Sequence, residues 1–339
     1  MKQIAAEAGV SVMTVSYSLR DHPEIPRTTR ERVKAVAERM GFRPDPMLSA
    51  LVAYRGGARR QATHGALALV TQMTPRHLQS STFGKRVTAS IRRRARQLGY
   101  DLEVFWLDPA MSPARASDIL LNRGIKGLIV APPARPGGEL RLDWNQFSAV
   151  ALGRSLGYPR LDFVSANQYN AGLRLHDELV GRGYARIGFV GCADIDARVQ
   201  HRFLGGYAAR EAERADGERI RPLLRPELKS AELKQWIKEN RPDAIIADGV
   251  AILPLLEEVG VRVPEKIGVA LCIVDDTNQR CCGMRPNFEL IGARSADFLH
   301  MKMLHDEKGP PEQATGWVIE GEWHEGETLR PVADAKVTG

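Results

Sequence analysis

Ala5-Ala6-Glu7-Ala8-Gly9-Val10-Ser11-Val12-Met13-Thr14-Val15-Ser16 is the stretch that decides the fold of the N-terminal end of the chain. The apolar residues before Gly9 form a short helical stripe, and Ser11 offers an N-cap for a second helix that runs through Leu19. Val15 and Leu19 lie four residues apart and can pack inward together. The stretch therefore predicts two short helices joined by a turn.

A third helix follows within the same small unit. Thr28 and Glu31 have the spacing of a capping box, and a predicted buried stripe then comprises Val33, Val36, Ala37 and Met40. Three helices in about 40 residues are typical of a helix-turn-helix unit, whose second helix enters the major groove of DNA. Hydroxyl groups near the start of that helix bond phosphates, although each of them could instead cap a helix or be solvated. The hydroxyls in question belong to Ser11, Thr14 and Ser16.

The charge of the chain supports a nucleic-acid partner at this end. The 339 residues have a formal net charge of +7, but residues 1–60 alone carry 11 Lys and Arg against 6 Asp and Glu. A basic surface attracts polyanions and releases their counterions, although a solvated basic face would have the same composition. The positive excess therefore makes the N-terminal unit the candidate for DNA binding.

The remainder of the chain alternates short apolar runs with longer amphipathic stretches, which is typical of parallel sheets with helical crossovers. One set of predicted strands lies at 67–70, 102–106, 127–131 and 150–153, and a second set at 187–191, 244–247 and 268–272. We expect a multidomain protein, with an all-α helix-turn-helix head and an α/β core of two lobes built on parallel sheets.

The overall composition excludes several classes of protein. No apolar run reaches the roughly 18 residues of a membrane span, and the N-terminus lacks the order of charged and apolar residues of a signal peptide. We expect a cytoplasmic protein without membrane contact. The four cysteines show no metal-binding spacing, so we predict neither a metal nor a cofactor.

The head, from Ala5 to Ser16, closely resembles that of the LacI/GalR (lactose-repressor) family of bacterial regulators, and Gly41-Phe42-Arg43-Pro44 continues the resemblance. The resemblance implies that Val12, Met13 and Tyr17 read base edges, and that Thr29 joins the hydroxyls named above in contacting phosphates. Many members have arginine where this chain has Tyr17, so the base preference should differ.

The segment after the head resembles the hinge of the same family. Asp45 and Pro46 are a good helix start, and a helix this short should order only when two copies pack on DNA. The resemblance implies that Leu51 wedges into the minor groove, where apolar wedges bend the duplex, and that Arg55 lies near phosphates. Leu51 could alternatively be a packing residue of a linker helix.

The core resembles the family's periplasmic-binding-protein-like domain, through runs such as Gly127-Leu128-Ile129-Val130 and Val263-Pro264-Glu265-Lys266-Ile267-Gly268-Val269. Ligands of such lobes collect at the carboxyl ends of strands, in the cleft between lobes. The resemblance implies an effector site, although each residue could instead cap a strand or pack in the core. Its candidates are Phe83, Arg202, Asp248, Asp275 and Phe288.

We divide the chain into a head at 1–43, a hinge and linker at 44–63 and a core at 64–339. The core comprises one lobe of 64–166 plus 285–310 and another of 167–284 plus 311–330. We predict a repressor that binds a pseudo-palindromic double-stranded operator as a homodimer, with affinity tuned by a sugar-like or other polar effector.

Two other functions share parts of this pattern. A solute-binding protein would have the same core but a signal peptide and no basic head. An enzyme would need a recognised set of reactive groups, and none surrounds Asp275-Asp276, Cys281-Cys282 or the histidines at 300 and 305, so we predict no catalytic residues.

Overall fold

The computed structural model describes residues 2–18, 25–40, 65–215 and 218–331. The chain divides into two compact units, residues 1–62 and 63–339, and each is described here by itself. The boundaries predicted at 43/44 and 63/64, together with the whole predicted hinge, lie outside the described residues.

The head consists of helices α1 (Lys2–Ala8), α2 (Val12–Ser18) and α3 (Arg27–Arg39). The chain turns at Gly9, whose φ of +64° is readily adopted by glycine because it lacks a Cβ. The helices enclose a small apolar core with predicted buried residues from all three, whereas Leu19, predicted to pack beside Val15, lies outside the described residues. The members of this core are Ile4, Ala5, Ala8, Val15, Val33, Val36 and Ala37.

Two details of the predicted head are wrong. Met40, predicted to complete the buried stripe of α3, is 43% exposed because it follows the last helical residue. Helix α3 begins at Arg27, so Thr28 lies inside its first turn instead of capping it, and Glu31 pairs with Arg27 at 2.7 Å.

The first lobe of the core is a six-stranded parallel sheet with helices on its faces. Its strands are β1 (Ala66–Thr71), β2 (Asp101–Trp106), β3 (Gly127–Val130), β4 (Ser148–Leu152), β5 (Phe163–Ala166) and β11 (Gly316–Ile319), in the spatial order β11-β5-β4-β3-β1-β2. The helices that connect or cover them are α4 (Pro75–Ser80), α5 (Thr82–Gln97), α6 (Pro113–Asn122) and α12 (Phe288–Leu304), with a short 3-10 helix at Trp144–Gln146. Residues of β3 and β4 are buried on both faces, which explains their continuous apolar runs.

The second lobe repeats this plan with one antiparallel strand. Its strands are β6 (Ile187–Cys192), β7 (Leu223–Arg225), β8 (Ala244–Ala247), β9 (Gly268–Leu271), β10 (Cys282–Arg285) and β12 (Glu322–His324), in the spatial order β12-β10-β9-β8-β6-β7. Only β12, among these strands, runs antiparallel to its neighbour. The helices are α7 (Gln168–Gly181), α8 (Ala193–Arg198), α9 (Arg202–Ala212), α10 (Ser230–Asn240) and α11 (Ile252–Glu258). The predicted two-lobed α/β architecture is confirmed.

The chain passes between the lobes three times, after β5, after β10 and after β11. The first and third passages are tied together, since the Asn167 Nδ2 and Asn170 Nδ2 groups donate to the two carboxylate oxygens of Glu320 at 2.6 and 2.7 Å. One predicted lobe boundary is wrong: Gly316–Ile319, placed in the second lobe, pairs with β5 of the first. The strand was assigned to the wrong lobe because the next strand along the chain, β12, belongs to the second sheet.

A buried ion pair anchors the last strand of the first lobe. Lys302, on α12, is 2% exposed and contacts Asp162, which is 4% exposed, with 2.5 Å between Nζ and Oδ2. The other oxygen of Asp162 accepts hydrogen bonds from the backbone N and Oγ1 of Thr315 at 2.8 and 3.0 Å. Burial lowers the pKa of Lys302, but hydrogen bonds to the Asp162 and Glu307 carboxylates outweigh it and raise that pKa. The pair therefore joins α12 to the residues that enter β5 and β11.

The remaining general expectations concern membranes and cysteines. None of the helices in the described part of the chain has both the length and the apolar character of a membrane span. Cys192, Cys272, Cys281 and Cys282 are all free thiols, and the last three are buried in the second lobe.

Candidate functional site: a DNA-reading helix and an arginine-lined cleft

Helix α2 presents two of the residues predicted to read DNA as exposed side chains, close to the residue that packs the helix into the head. Val15 is fully buried in the head core, whereas Val12 is 42% and Met13 66% exposed. The face formed by Val12 and Met13 is therefore available for contact, and Tyr17 is partly buried on the same helix.

The hydroxyl groups at the start of α2 hold the helix end in shape. The Ser11 Oγ accepts a hydrogen bond from the Thr14 backbone N at 3.0 Å, and the two hydroxyl oxygens lie 2.9 Å apart. Ser11 is thus an N-cap, which was the alternative to a phosphate contact, although its exposure leaves a second lone pair accessible. Thr29 lies in the first turn of α3 and is partly exposed.

Three predicted DNA contacts cannot be placed. Leu51 and Arg55 lie outside the described residues, as does the side chain of Ser16. Their roles remain predictions from the resemblance.

The cleft between the two lobes contains a cavity of about 210 Å³. Three of the five predicted effector residues line it: Phe83 from α5, Phe288 from α12 and Arg202 from α9. The rings of Phe83 and Phe288 meet edge to face with their centroids 5.6 Å apart. Elements of both lobes therefore contribute to one cavity, as the sequence predicts.

The two predicted acids are not among the residues that line this cavity. Asp275 folds back on its own loop, where its Oδ1 accepts hydrogen bonds from the backbone N and Oγ1 of Thr277 at 2.8 and 2.6 Å. Asp248 accepts a hydrogen bond from the Cys192 backbone N. Burial raises the pKa of Asp248, the Cys192 N–H opposes this rise, and nearby Asp196 adds to it. Both acids thus cap loops in this structure, which was the alternative considered for them.

The structure adds two arginines that the sequence did not single out. Arg154, directly after Gly153 at the end of β4, and Arg198, at the end of α8, line the cavity beside Arg202. The Arg154 guanidinium lies 4.4 Å from the centroid of the Phe163 ring. Burial and the neighbouring charge of Arg202 lower the pKa of Arg154. Arg154 could have been suspected from its place at the carboxyl end of a buried strand.

Hydrogen bonds across the cleft join the two lobes. The Arg198 guanidinium, from the second lobe, donates to the backbone oxygens of Pro133 and Ala134 in the first at 2.7 and 2.8 Å. The Gln200 Nε2 donates to the Arg154 backbone oxygen at 3.0 Å. At another part of the cleft, Arg86 Nη1 lies 3.3 Å from Asp276 Oδ1. Separation of the lobes would break each of these bonds.

Comparisons with known proteins agree with both parts of this description. Residues 1–45 match the family model for bacterial regulatory proteins of the lacI family, and residues 176–328 match that for a periplasmic binding protein-like domain. The fructose operon regulatory protein of Vibrio cholerae is 26% identical over 278 residues, which are 78% of this chain and 80% of that protein. The maltose regulon regulatory protein MalI of Escherichia coli is 29% identical over 211 residues, 61% of this chain and 57% of that protein.

This chain belongs to the LacI family. Solved structures have the same fold: the regulator CelR in complex with cellobiose has a TM-score of 0.59 at 19% identity and covers 96% of this chain and 98% of its own. The lac repressor dimer bound to operator and the anti-inducer ONPF has a TM-score of 0.56 at 18% identity, with coverage of 96% and 98%. The predicted family is confirmed, and this LacI-family protein is a DNA-binding transcriptional regulator.

Proposed function

We propose that this LacI-family protein is a repressor that binds a pseudo-palindromic operator as a homodimer, and that a small polar molecule in the cleft tunes its affinity for DNA. The observation that carries the proposal is the face of α2, on which Val12 and Met13 are exposed while Val15 holds the helix to the head. A single small head contacts few bases, whereas two heads on a palindrome gain affinity through effective concentration.

The core offers a surface for the second copy. Strand β2 is an edge strand of the first sheet, and its Val104 and Trp106 are 38% and 39% exposed. On neighbouring α5, Arg94 pairs with Asp297 at 2.6 Å, while Arg92 is partly exposed and Arg93 exposed. Exposed edge strands with apolar side chains tend to be covered by a partner. We assign this side of the first lobe to the dimer.

Ligand and DNA would be linked through the angle between the lobes. A molecule in the cleft contacts residues of both lobes, so it binds one lobe arrangement better than another. DNA binding by two hinges would depend on the same arrangement, because the hinges must lie at the spacing at which Leu51 reaches the minor groove and Arg55 the phosphates. Ligand and operator must then change each other's affinity by the same factor.

We also propose that the protein has no catalytic function and acts in the cytoplasm, where the operator is found. Of the groups that could suggest chemistry, Asp276 pairs with Arg86, and Cys281 and Cys282 are buried. Among the described residues, no group of three His, Cys, Asp or Glu side chains is placed to hold a metal ion.

Selection of sites from a random double-stranded DNA pool tests the main proposal. We expect a motif with two-fold symmetry at near-physiological salt, since salt sets the non-specific background. A motif without symmetry would contradict binding as a dimer, and the absence of any motif would contradict operator recognition.

Met13→Ala should relax the selected motif at one base pair in each half-site. An apolar side chain in the major groove discriminates by contact with the thymine methyl group, so the preference there should fall by about 1 kcal/mol, roughly fivefold. Affinity for selected sites and for mutated sites would be measured by fluorescence anisotropy. Ala35→Ser, on the exposed face of α3, serves as the control and should leave the motif unchanged. An unaltered motif with Met13→Ala would remove this residue from base reading.

A further inference from the structure

The cleft cavity is unusual in the sign of its charges. Its lining includes three arginines, at 154, 198 and 202, and no aspartate or glutamate. Its neutral polar side chains are those of Ser155, Ser165 and Gln168, and the Ser165 Oγ already donates to the Ala166 backbone oxygen at 2.9 Å. All the charged side chains of the cavity are therefore positively charged hydrogen-bond donors, and the side-chain acceptors come only from these neutral groups.

The positive charges of the cavity have no carboxylate in salt-bridge contact in the described part of the chain. Among the described residues, none of the three arginines forms a salt bridge, and the buried Arg202 Nε has no hydrogen-bond partner. The Arg198 guanidinium donates to two backbone carbonyls, and Arg154 lies over an aromatic ring. An unpaired donor in a buried site costs the free energy of its lost hydration. The mutual effect of Arg154 and Arg202 adds repulsion that a negative charge would relieve.

The other wall of the cavity is apolar and close. It is formed by side chains that include Phe83, Leu152, Val164, Ile273 and Phe288. The volume of about 210 Å³ is below the roughly 300–1,000 Å³ of sites for drug-sized ligands. A polyhydroxylated ligand needs acceptors for several hydroxyl hydrogens, and the side-chain acceptors of the cavity are limited to Ser155, Ser165 and Gln168. A ligand complementary to both walls of the cavity is small, with an acidic group at one end and an apolar body at the other.

We propose that the effector is a small organic anion, whose carboxylate binds between Arg154 and Arg202 and whose apolar body packs against Phe83 and Phe288. This inference rests on the proposed effector role of the cleft. The Arg198 guanidinium bridges the lobes from the same cavity wall. An anion bound in the cavity would therefore change the strength of the hydrogen bonds from Arg198 to the Pro133 and Ala134 backbone oxygens. The site thus couples ligand charge to the contact between the lobes.

The test is direct binding to the full-length protein without DNA, by titration calorimetry at constant ionic strength. The probes are benzoate, cyclohexanecarboxylate and 3-phenylpropionate, each compared with its own primary amide, which has the same shape without the charge. We expect at least one acid to bind about tenfold or more tightly than its amide, the effect of charge on a buried hydrogen bond.

Substitutions then locate the binding. Arg202→Gln and Arg154→Gln should each lower the affinity for the tightest-binding acid by about tenfold and leave the affinity for its amide unchanged. Arg115→Gln, at an exposed position of α6, is the matched control and should not alter either dissociation constant. Thermal unfolding without ligand shows whether each variant folds, and if one does not, the other carries the test.

Two results would overturn the assignment. Acids that bind no better than their amides would show that the cavity does not select for negative charge. Acids whose affinity survives both arginine substitutions would bind elsewhere. Neither result bears on the symmetric motif from DNA selection, so failure of this inference remains distinct from failure of the repressor function.

Discussion

Replacement of Lys302 by methionine lowers the free energy of unfolding of the core by about 3–5 kcal/mol, which is the expected cost of removing one partner of a buried ion pair. The methionine fills much of the same space, but it leaves the Asp162 carboxylate buried without a cation. Asp162 would retain only its two hydrogen bonds from Thr315. The loss should therefore reflect the stranded charge more than lost packing.

Denaturant unfolding followed by tryptophan fluorescence measures this change. All five tryptophans lie in the core, and Trp317 on β11 stacks on Phe298 of α12 with ring centroids 4.8 Å apart. Lys308→Met is the matched control, because Lys308 pairs with exposed Asp306 at 2.8 Å and such surface pairs contribute at most about 1 kcal/mol.

A second substitution separates charge from shape. Adding Asp162→Asn to Lys302→Met removes the stranded charge, so the double variant should be more stable than Lys302→Met alone. If Lys302→Met and Lys308→Met lower the free energy of unfolding by the same small amount, the buried pair contributes no more to stability than a surface pair.

Val15→Asn should abolish specific DNA binding and leave the core intact. Val15 is fully buried in a head of about 40 residues, a size at which stability is marginal. The substitution forfeits about 1.5–3 kcal/mol of apolar burial and adds about 1–3 kcal/mol for an amide without partners. Together these costs are comparable to the whole stability expected of so small a unit, so the reading helix should be lost.

Affinity for the selected operator, measured by fluorescence anisotropy, should fall at least about tenfold, while unfolding of the core stays unchanged. The neutral asparagine avoids any repulsion of phosphates. Ala35→Asn places the same side chain on the exposed face of α3 and should retain binding. Binding retained by Val15→Asn would mean that the head core is not required for recognition.

The elements that the sequence predicted best are those whose burial is uniform. Gly127–Val130 and Ala244–Ala247 are buried at every position, so a continuous apolar run in the sequence predicts each strand. Gly316–Ile319 is exposed at three of its four positions, and Glu322–His324 has only three residues, so neither has a pattern of its own. Both strands form by pairing with the edge of a sheet, and that edge is built from distant parts of the chain.

The lining of the cleft cavity was predicted in part for a similar reason. Aromatic residues at helix starts, such as Phe83 and Phe288, were assigned correctly to the cleft lining. Acids that follow strand ends were predicted to bind the effector, but in the structure they accept hydrogen bonds from nearby protein groups, as Asp275 does from Thr277. Arg154 follows a buried strand and Arg198 ends a helix, but neither was singled out from the sequence, because an arginine at such a position is usually solvated. Only the approach of two lobes reveals that they face one cavity.

The threefold passage of the chain between the lobes has a consequence for synthesis of the protein on the ribosome. The first sheet lacks its strand at 316–319, and the second its strand at 322–324, until almost the whole chain has emerged. Strands β5 and β10 therefore present open edges throughout translation of the core, and such edges invite pairing with other nascent chains. The described core of the head lies within residues 4–37, so this unit can fold long before. A nascent chain would thus carry a folded head well before it carries either complete lobe of its core.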